Sequence, residues 1–164
     1  MEEFINFVGG NYSKIFAVEP DEKNFVELKK FVREKNYKNV ECLNCGVWDK
    51  KDILHFSATR DSSGSNISES GDIEIKVDAI DNFVGDSKID FIKMDIEGSE
   101  LAALHGAKKT IQNFKPVLTI CAYHKKEDLI TLPQFINSLN CNYKFYLRHH
   151  RHSLYELVLY AVPR

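Results

Sequence analysis

The sequence lacks any apolar run long enough to cross a membrane as a helix, since its longest apolar stretches fall far short of the roughly 20 residues that a span requires. It also lacks a strong charge of either sign, because its formal net charge is only −2. A protein that binds nucleic acid or anionic lipid through long-range electrostatics carries a clear excess of basic residues. We therefore expect neither nucleic acid nor a membrane among its partners.

The amino terminus lacks the basic-then-apolar order of a secretory signal peptide, so the cytoplasm is the expected location. The chain also lacks internal repeats and any linker long enough to separate two domains. Its 164 residues, 43% of them hydrophobic and 28% charged, suffice for one globular domain with its own core. We predict that residues 1–164 form a single domain.

The four cysteines lack the spacing of a zinc site. Cys42 and Cys45 form a C-x-x-C pair, but a zinc site needs a second ligand pair at short spacing, which Cys121 and Cys141 do not supply. A redox-active pair belongs at a helix N-terminus, whereas ECLNCGVW has the pattern of a strand. The sequence therefore favours buried free thiols and predicts no metal bound by these cysteines.

The most informative stretch that is present spans residues 88–113, KIDFIKMDIEGSELAALHGAKKTIQN. The mostly apolar run from Ile89 to Met94 is typical of a strand that is covered on both faces. The following SELAALHGAKKTIQN carries one helical stripe at spacings of three and four, formed by Leu101, Leu104, Ala107 and Ile111. The stretch predicts a buried strand, a turn holding Asp95 and Glu97, and one amphipathic helix.

The turn places two carboxylates where open α/β sheets bind ligands, beyond the carboxyl ends of the strands. Asp95 and Glu97 are therefore candidates for a functional site. Acidic residues at this position also stabilise a helix N-terminus by capping and through the helix dipole. The turn alone leaves both interpretations open.

Strand and helix patterns alternate along the rest of the chain. Strands are predicted at 14–20, 40–48 and 115–124, and helices at 21–36 and 126–140, the second with a kink or break at Pro133. YKFYLRHH (143–150) and LYELVLYAV (154–162) are joined by so few residues that they must pair antiparallel. We predict a Rossmann-like α/β fold of the class I methyltransferase type, mostly parallel and closed by an antiparallel hairpin.

Three segments resemble the FkbM family of methyltransferases: FIKMDIEGSELAALHGA, KPVLTICAYHKKEDL and YKFYLRHH…YELVLYA. The likeness runs from FAVEPDEKNF to the last strand, and the IKMDIEGSE-type run is its most specific part. The resemblance implies an S-adenosyl-L-methionine-dependent methyltransferase that acts on a hydroxyl oxygen of a small molecule or glycan.

The resemblance also implies cofactor-binding residues. Glu19, at a strand end, would hold the ribose hydroxyls through charge-assisted hydrogen bonds, although it could merely favour the start of the next helix. The loop with Cys45, Gly46 and Val47 would pass the adenine. Asp95 would face the methionine amino group and the incoming acceptor.

The acceptor side of the implied site involves Asp95, Glu97 and His124, which follow neighbouring strands. Alignment of acceptor and methyl group supplies most of the acceleration in methyl transfer. A base is needed only where the acceptor must lose a proton, and a histidine suits that role near neutral pH. Glu97 and His124 are the candidates to bind or deprotonate an acceptor hydroxyl, and a metal ion at Asp95 and Glu97 is left open.

The run RHHRH (148–152) lies at the tip of the last hairpin. Its His149 and His150 could contact an acidic acceptor such as a sugar acid or a phosphorylated glycan. A solvated basic turn is the favoured interpretation.

The resemblance implies a first strand and a glycine-rich turn before the helical pattern EEFINFV, and neither is found in residues 1–164. In the family fold that strand lies between 14–20 and 89–95. We therefore expect these two strands either to pair directly or to self-associate through their inner edges as a homo-oligomer, with weak cofactor binding in both cases. A non-catalytic remnant of the fold that serves as a binding or assembly module is the alternative function.

Overall fold

The computed structural model describes residues 1–56, 73–150 and 156–164. Within these ranges the helices are α1 (Glu2–Phe7), α2 (Glu22–Glu34), α3 (Ile80–Val84), α4 (Glu100–His105), α5 (Lys108–Phe114) and α6 (Asp128–Ser138). The strands are β1 (Ile15–Val18), β2 (Val40–Leu43), β3 (Gly46–Val47), β4 (Asp52–Phe56), β5 (Ile73–Asp78), β6 (Phe91–Met94), β7 (Val117–Cys121), β8 (Tyr143–His149) and β9 (Leu157–Pro163).

The described strands form three hydrogen-bonded sheets with the orders β1-β2, β3-β5-β4 and β6-β7-β9-β8. The pairs β1–β2, β3–β5 and β6–β7 are parallel, whereas β4–β5, β7–β9 and β8–β9 are antiparallel. The α/β class is confirmed, but the prediction of a mostly parallel sheet is wrong for the described pairs. β4 contributes one of the antiparallel pairs, because it runs back along β5.

The closing hairpin has the predicted form. β8 pairs antiparallel with β9, from Tyr143 opposite Pro163 to His149 opposite Leu157. β9 also pairs antiparallel with β7, so the last strand lies between β7 and β8. This insertion brings the end of β8 to the sheet edge where β7 ends.

The strands β1 and β6 do not pair with each other. Within the described residues, β1 hydrogen-bonds only to β2, and β6 only to β7. The predicted direct pairing of 14–20 with 89–95 is therefore wrong for the described chain. The helix α1 lies near β6 instead, because the ring of Phe4 stacks on that of Phe91 with centroids 5.3 Å apart.

The predicted helix after the turn DIEGSE (residues 95–100) is divided into two helices, α4 and α5. The division falls at Gly106, where a Cβ atom would overlap the Trp48 carbonyl oxygen and lie 3.2 Å from the Ala79 Cα. Gly106 O accepts a hydrogen bond from Asp81 N–H at 2.8 Å. The Asp81 carboxylate then accepts from the Thr110 N–H at 2.8 Å, so a residue of α3 caps α5. These tertiary contacts interrupt a helical pattern that is continuous in the sequence.

The helix α6 is continuous through Pro133, so a break, one of the two predicted outcomes, is absent, and a kink stays a prediction. Proline removes one backbone donor and crowds the preceding turn, which disfavours a helix interior. Leu132 and Ile136 lie on either side of Pro133 and are fully buried. Tertiary packing therefore holds the helix across a local breaker.

The core is formed by apolar side chains of β6, β7, β9 and the helices α4 to α6. The largest fully buried aliphatic side chains are Leu104, Ile111, Leu118, Ile120, Leu132 and Ile136. Two carboxylates, Glu100 and Asp128, are buried with them, at 0% and 3% exposure. Buried carboxylates are rare unless they are hydrogen-bonded or paired, so their surroundings point to a site.

Candidate functional site

The DIEGSE turn is folded tightly against the loop that follows β7. Glu97 adopts a left-handed backbone conformation with φ +56°, and Gly98 follows with φ +91°. A Cβ atom on Gly98 would lie 3.1 Å from the Lys125 Cε and 3.6 Å from the His124 Cβ. Residues with a left-handed backbone conformation reverse the chain direction within a few residues. Their conformational strain must be offset by surrounding contacts. The turn thereby brings its carboxylates to the strand end of β7.

His124 meets carboxylates on two sides. Its Nε2 lies 3.4 Å from the Glu97 Oε2 and 3.9 Å from the Asp95 Oδ1. Its Nδ1 lies 3.1 Å from the Glu100 Oε1. The His124 side chain is only 9% exposed, whereas that of Glu97 is 84% exposed. The structure therefore brings Asp95, Glu97 and His124 together at the ends of β6 and β7.

Glu100 lies at the base of this group. Its Oε1 accepts a hydrogen bond from the Ile96 N–H at 3.0 Å, whereas its Oε2 has no hydrogen-bond partner among the described residues. Burial raises the pKa of this carboxyl, and the Ile96 N–H and the nearby His124 partly oppose the rise. Folding therefore makes the charged form of Glu100 costly, and its few polar contacts compensate only in part.

Asp128 is the second buried carboxylate beside the group. Its Oδ2 accepts from the Lys125 N–H at 3.1 Å, which ties the first turn of α6 to the loop after His124. Burial raises the pKa of Asp128, while the backbone N–H and the charge of Lys125 act in the opposite direction.

The sequence did not identify Glu100 or Asp128, although each has a detectable signal. Glu100 lies four residues before Leu104 and so falls on the apolar stripe of its helix. Asp128 lies four residues before Leu132, on the stripe of α6. A carboxylate on an apolar stripe is either out of place or buried with partners, and here both are buried.

Asp95 is held by two side chains of its surroundings. Tyr123 donates its hydroxyl to the Asp95 Oδ1 at 3.1 Å, and Lys93 Nζ lies 3.7 Å from the Oδ2. Burial, followed by the charge and hydrogen bond of Asp95, raises the pKa of the Tyr123 hydroxyl far above its usual range. Burial and the same carboxylate raise the pKa of the Cys121 thiol to about 12. Both neighbours therefore remain protonated donors near neutral pH.

Glu19 lies at the end of β1 and is oriented by backbone. Its N–H donates to the Leu43 carbonyl at 3.0 Å, and its carboxylate Oε1 accepts from the Asp21 N–H at 2.9 Å. The side-chain amide of Asn44 donates to the Glu19 carbonyl at 3.0 Å. Glu19 is half-buried, so an oriented carboxylate stays open to solvent, as the binding of two vicinal hydroxyls requires.

The segment with Cys45, Gly46 and Val47 lies beside the Glu19 strand end. A Cβ atom on Gly46 would lie 3.8 Å from the Pro20 Cβ. All three residues of the segment are half-buried. An oriented carboxylate next to a half-buried chain segment fits a ribose with its attached base.

The group around Glu19 and the group around His124 belong to different hydrogen-bonded sheets. Glu19 therefore has a described position beside Cys45–Val47, and Asp95 has one beside His124. That Glu19, Asp95 and His124 line one cleft stays a prediction.

His149 and His150 are exposed at the end of the hairpin. His149 lies opposite Leu157, whose carbonyl accepts from the Ala122 N–H at 2.9 Å. The hairpin thus ends at the same sheet edge as β7, with β9 in between. His150 Nε2 lies 2.6 Å from the Tyr160 hydroxyl. The remaining residues of the tip, 151–155, lie outside the described residues.

The part of the chain that the structure describes also bears on metal binding and on membrane insertion. No group of three or more His, Cys, Asp or Glu side chains there has the arrangement to hold a metal ion. In the same ranges, no helix is long and apolar enough to span a bilayer.

The comparison with known families decides the assignment. The family model for the methyltransferase FkbM domain matches residues 1–145. The chain belongs to the FkbM methyltransferase family. The crystal structure of methyltransferase FkbM from Methylobacillus flagellatus KT is similar to this chain, with a TM-score of 0.81 and 30% sequence identity. The similarity covers 98% of this chain and 39% of that protein, so this FkbM domain spans about two fifths of its length. No curated protein matches significantly.

Proposed function

We propose that this FkbM domain is an S-adenosyl-L-methionine-dependent methyltransferase of Rossmann-like fold that methylates a hydroxyl oxygen of a small molecule or glycan. Family membership supports methyl transfer. The observation that carries the proposal is the meeting of His124 with Glu97 and Asp95 at the ends of β6 and β7. A histidine beside exposed carboxylates can hold a hydroxyl and accept its proton.

The cofactor side of the proposed site is formed by Glu19, by Cys45–Val47 and by Asp95. S-adenosyl-L-methionine, when bound, supplies a methyl group on a sulfonium that is already a good leaving group. The Glu19 carboxylate accepts hydrogen bonds from the ribose hydroxyls, and the Cys45–Val47 segment flanks the base. Asp95, which Tyr123 holds in place, pairs with a positively charged amino group.

The acceptor side is formed by Glu97 and His124. Glu97 is exposed and binds an acceptor hydroxyl, while His124 takes the proton that leaves as the new bond to carbon forms. His149 and His150 lie farther along the same sheet edge, where they would contact an acidic group of a larger acceptor such as a sugar acid. Orientation of the hydroxyl by these side chains supplies most of the acceleration.

Calorimetric titration with S-adenosylhomocysteine tests the proposal. Binding by the chain, together with transfer of a labelled methyl group to a sugar or sugar-acid alcohol, is the expected result. A folded chain that binds neither the product cofactor nor its parent would instead favour a binding or assembly module.

Glu19→Ala is expected to weaken S-adenosylhomocysteine binding by about 1.5–3 kcal/mol, because charge-assisted hydrogen bonds to the ribose are lost. This corresponds to a roughly 10–150-fold higher Kd. Calorimetry measures the change, and Glu22→Ala, at an exposed carboxylate in the first turn of α2, is the matched control. Equal affinities for the two variants would remove Glu19 from the site.

We further propose that the FkbM domain self-associates through the edges of β1 and β6. Ile15 and Glu19 donate their N–H groups toward β2, so the N–H of Val18 faces the other edge of β1. Light scattering coupled to size exclusion should show a concentration-dependent dimer. Val18→Pro should reduce it, because proline removes an edge donor. A wild-type monomer at high concentration would contradict the proposal.

A further inference from the structure

The two ring nitrogens of His124 face different surroundings. Nε2 is itself buried, but it lies near the exposed side chains of Glu97 and Asp95. Nδ1 is directed into the protein, 3.1 Å from the Glu100 Oε1. Neither nitrogen is aligned for a hydrogen bond with a described group, although the Nδ1 distance is within hydrogen-bond reach. Catalytic hydrogen bonds in ligand-free enzymes are often poorly aligned and tighten in the complex.

The contacts of Glu100 indicate which partner donates in this pair. The Ile96 N–H can only donate, so the Glu100 Oε1 acts as an acceptor at 3.0 Å. Oε2 has no described partner and does not make the short contact to His124, so a proton on the carboxyl group can reside there without disturbing either contact of Oε1. The ionised form of Glu100 can only accept, so a hydrogen bond between the two residues then needs its hydrogen on the Nδ1 of His124.

We propose that Glu100 is a positioning residue that fixes His124 in the tautomer protonated on Nδ1. The Nε2 lone pair then points toward the exposed carboxylates, where a base would meet an acceptor hydroxyl. The role in proton transfer rests on the proposed methyltransferase function, whereas the tautomer itself does not. The same division of labour operates wherever a buried carboxylate orients a catalytic imidazole.

Carboxylates lie near both nitrogens of His124, and each attracts a hydrogen on the nitrogen that it faces. The buried Glu100 should prevail, because charge interactions are stronger in the interior than at the exposed side chains of Asp95 and Glu97. Asp95 and Glu97 face Nε2 from the turn after β6, and Glu100 faces Nδ1 from α4. Asp128 of α6 accepts instead from the Lys125 N–H, and the Lys125 side chain packs against Gly98. Glu100 is thus the described carboxylate within 4 Å of Nδ1.

The proposed role has a stability cost that can be measured. Burial raises the pKa of Glu100. The stability that this group contributes is therefore present at a pH below the ordinary pKa of a carboxyl group, and it is lost as the pH rises through the raised pKa. Near neutral pH, the charged carboxylate is therefore unfavourable for folding. Glu100→Gln, which keeps an acceptor oxygen for the Ile96 N–H, should melt no lower than the wild type at that pH.

Long-range ¹H–¹⁵N correlation spectra of the ¹⁵N-histidine-labelled FkbM domain test the proposal without cofactor or acceptor. At slightly alkaline pH the wild type should show His124 protonated on Nδ1 and unprotonated on Nε2, with His124→Ala used to assign the signal. A ring protonated on Nε2, or on both nitrogens, would overturn the proposal.

Substitutions then test whether the tautomer depends on an acceptor oxygen at residue 100 and not at the other buried carboxylate. Glu100→Gln should retain the Nδ1–H form, and Glu100→Leu, which removes the acceptor, should shift the population toward Nε2–H. Asp128→Asn is the matched control at the other buried carboxylate and should leave the tautomer unchanged. An unchanged tautomer in a folded Glu100→Leu variant would overturn the proposal. If that variant does not fold, loss of the Nδ1–H form in Glu100→Gln would overturn it. Absence of methyl transfer in a chain with the expected tautomer would contradict the proposed function alone.

Discussion

Gly106→Ala is expected to destabilise the FkbM domain by more than about 4 kcal/mol, beyond the range of most single substitutions. The added Cβ would overlap the Trp48 carbonyl oxygen and lie 3.0 Å from its carbonyl carbon. Both atoms belong to the backbone, so no side-chain rotation can relieve the overlap. The Asp81 N–H donates to the Gly106 carbonyl at 2.8 Å, which holds Gly106 against α3 and restricts its movement away from Trp48.

Chemical denaturation monitored by circular dichroism measures this effect. Gly85→Ala is the matched control, because Gly85 has φ +53° but no atom within 4 Å of an added Cβ. That variant should lose only about 1–3 kcal/mol from backbone strain alone, because φ +53° with ψ −129° suits glycine but not alanine. Similar losses in the two variants would show that α3 and α4 can separate from the Trp48 segment at little cost.

His124→Ala is expected to lower the turnover of methyl transfer about 100-fold or more, in the range that general-base catalysis contributes. Its affinity for S-adenosylhomocysteine should change little, since the cofactor contacts are assigned to Glu19, Cys45–Val47 and Asp95. The expectation follows from the Nε2 of His124, which faces the exposed Glu97 rather than the strand end of β1.

The measurement uses labelled S-adenosyl-L-methionine and the best acceptor from a panel of sugar and sugar-acid alcohols. His105→Ala is the matched control, because His105 is an exposed histidine of α4 whose ring packs on Phe135. Circular dichroism shows whether His124→Ala stays folded. A variant with weakened cofactor binding and unchanged turnover would mean that His124 belongs to the cofactor side.

Several elements follow from local sequence alone. A strand pattern precedes Asp95, and a helical stripe follows it. The stripe contains Leu104 and Ile111, whose side chains are both fully buried. The short connection after His149 requires an antiparallel pair, and β8 and β9 form one. These predictions hold because period and connection length are local properties that tertiary contacts rarely reverse.

Other features depend on contacts between segments far apart in the chain. The sequence shows one helical pattern across Gly106, yet the approach of Trp48 and the cap from Asp81 divide it. Pro133 signals a break, yet the burial of its neighbours keeps α6 whole. In each case long-range packing outweighs a local preference of a few kcal/mol.

The candidate site shows the same division. The sequence by itself determined that Asp95, Glu97 and His124 follow two neighbouring strands, whose carboxyl ends meet at one edge because they are parallel. The predicted burial of both faces holds for β7 but not for β6, in which Phe91 and Lys93 are exposed. Only the tertiary structure decided that Glu100 approaches the inner nitrogen of His124, at 3.1 Å. The role of a carboxylate on an apolar stripe depends on the side chains that pack over it. For Glu100 these side chains are set by how α4 packs against the loop after β7.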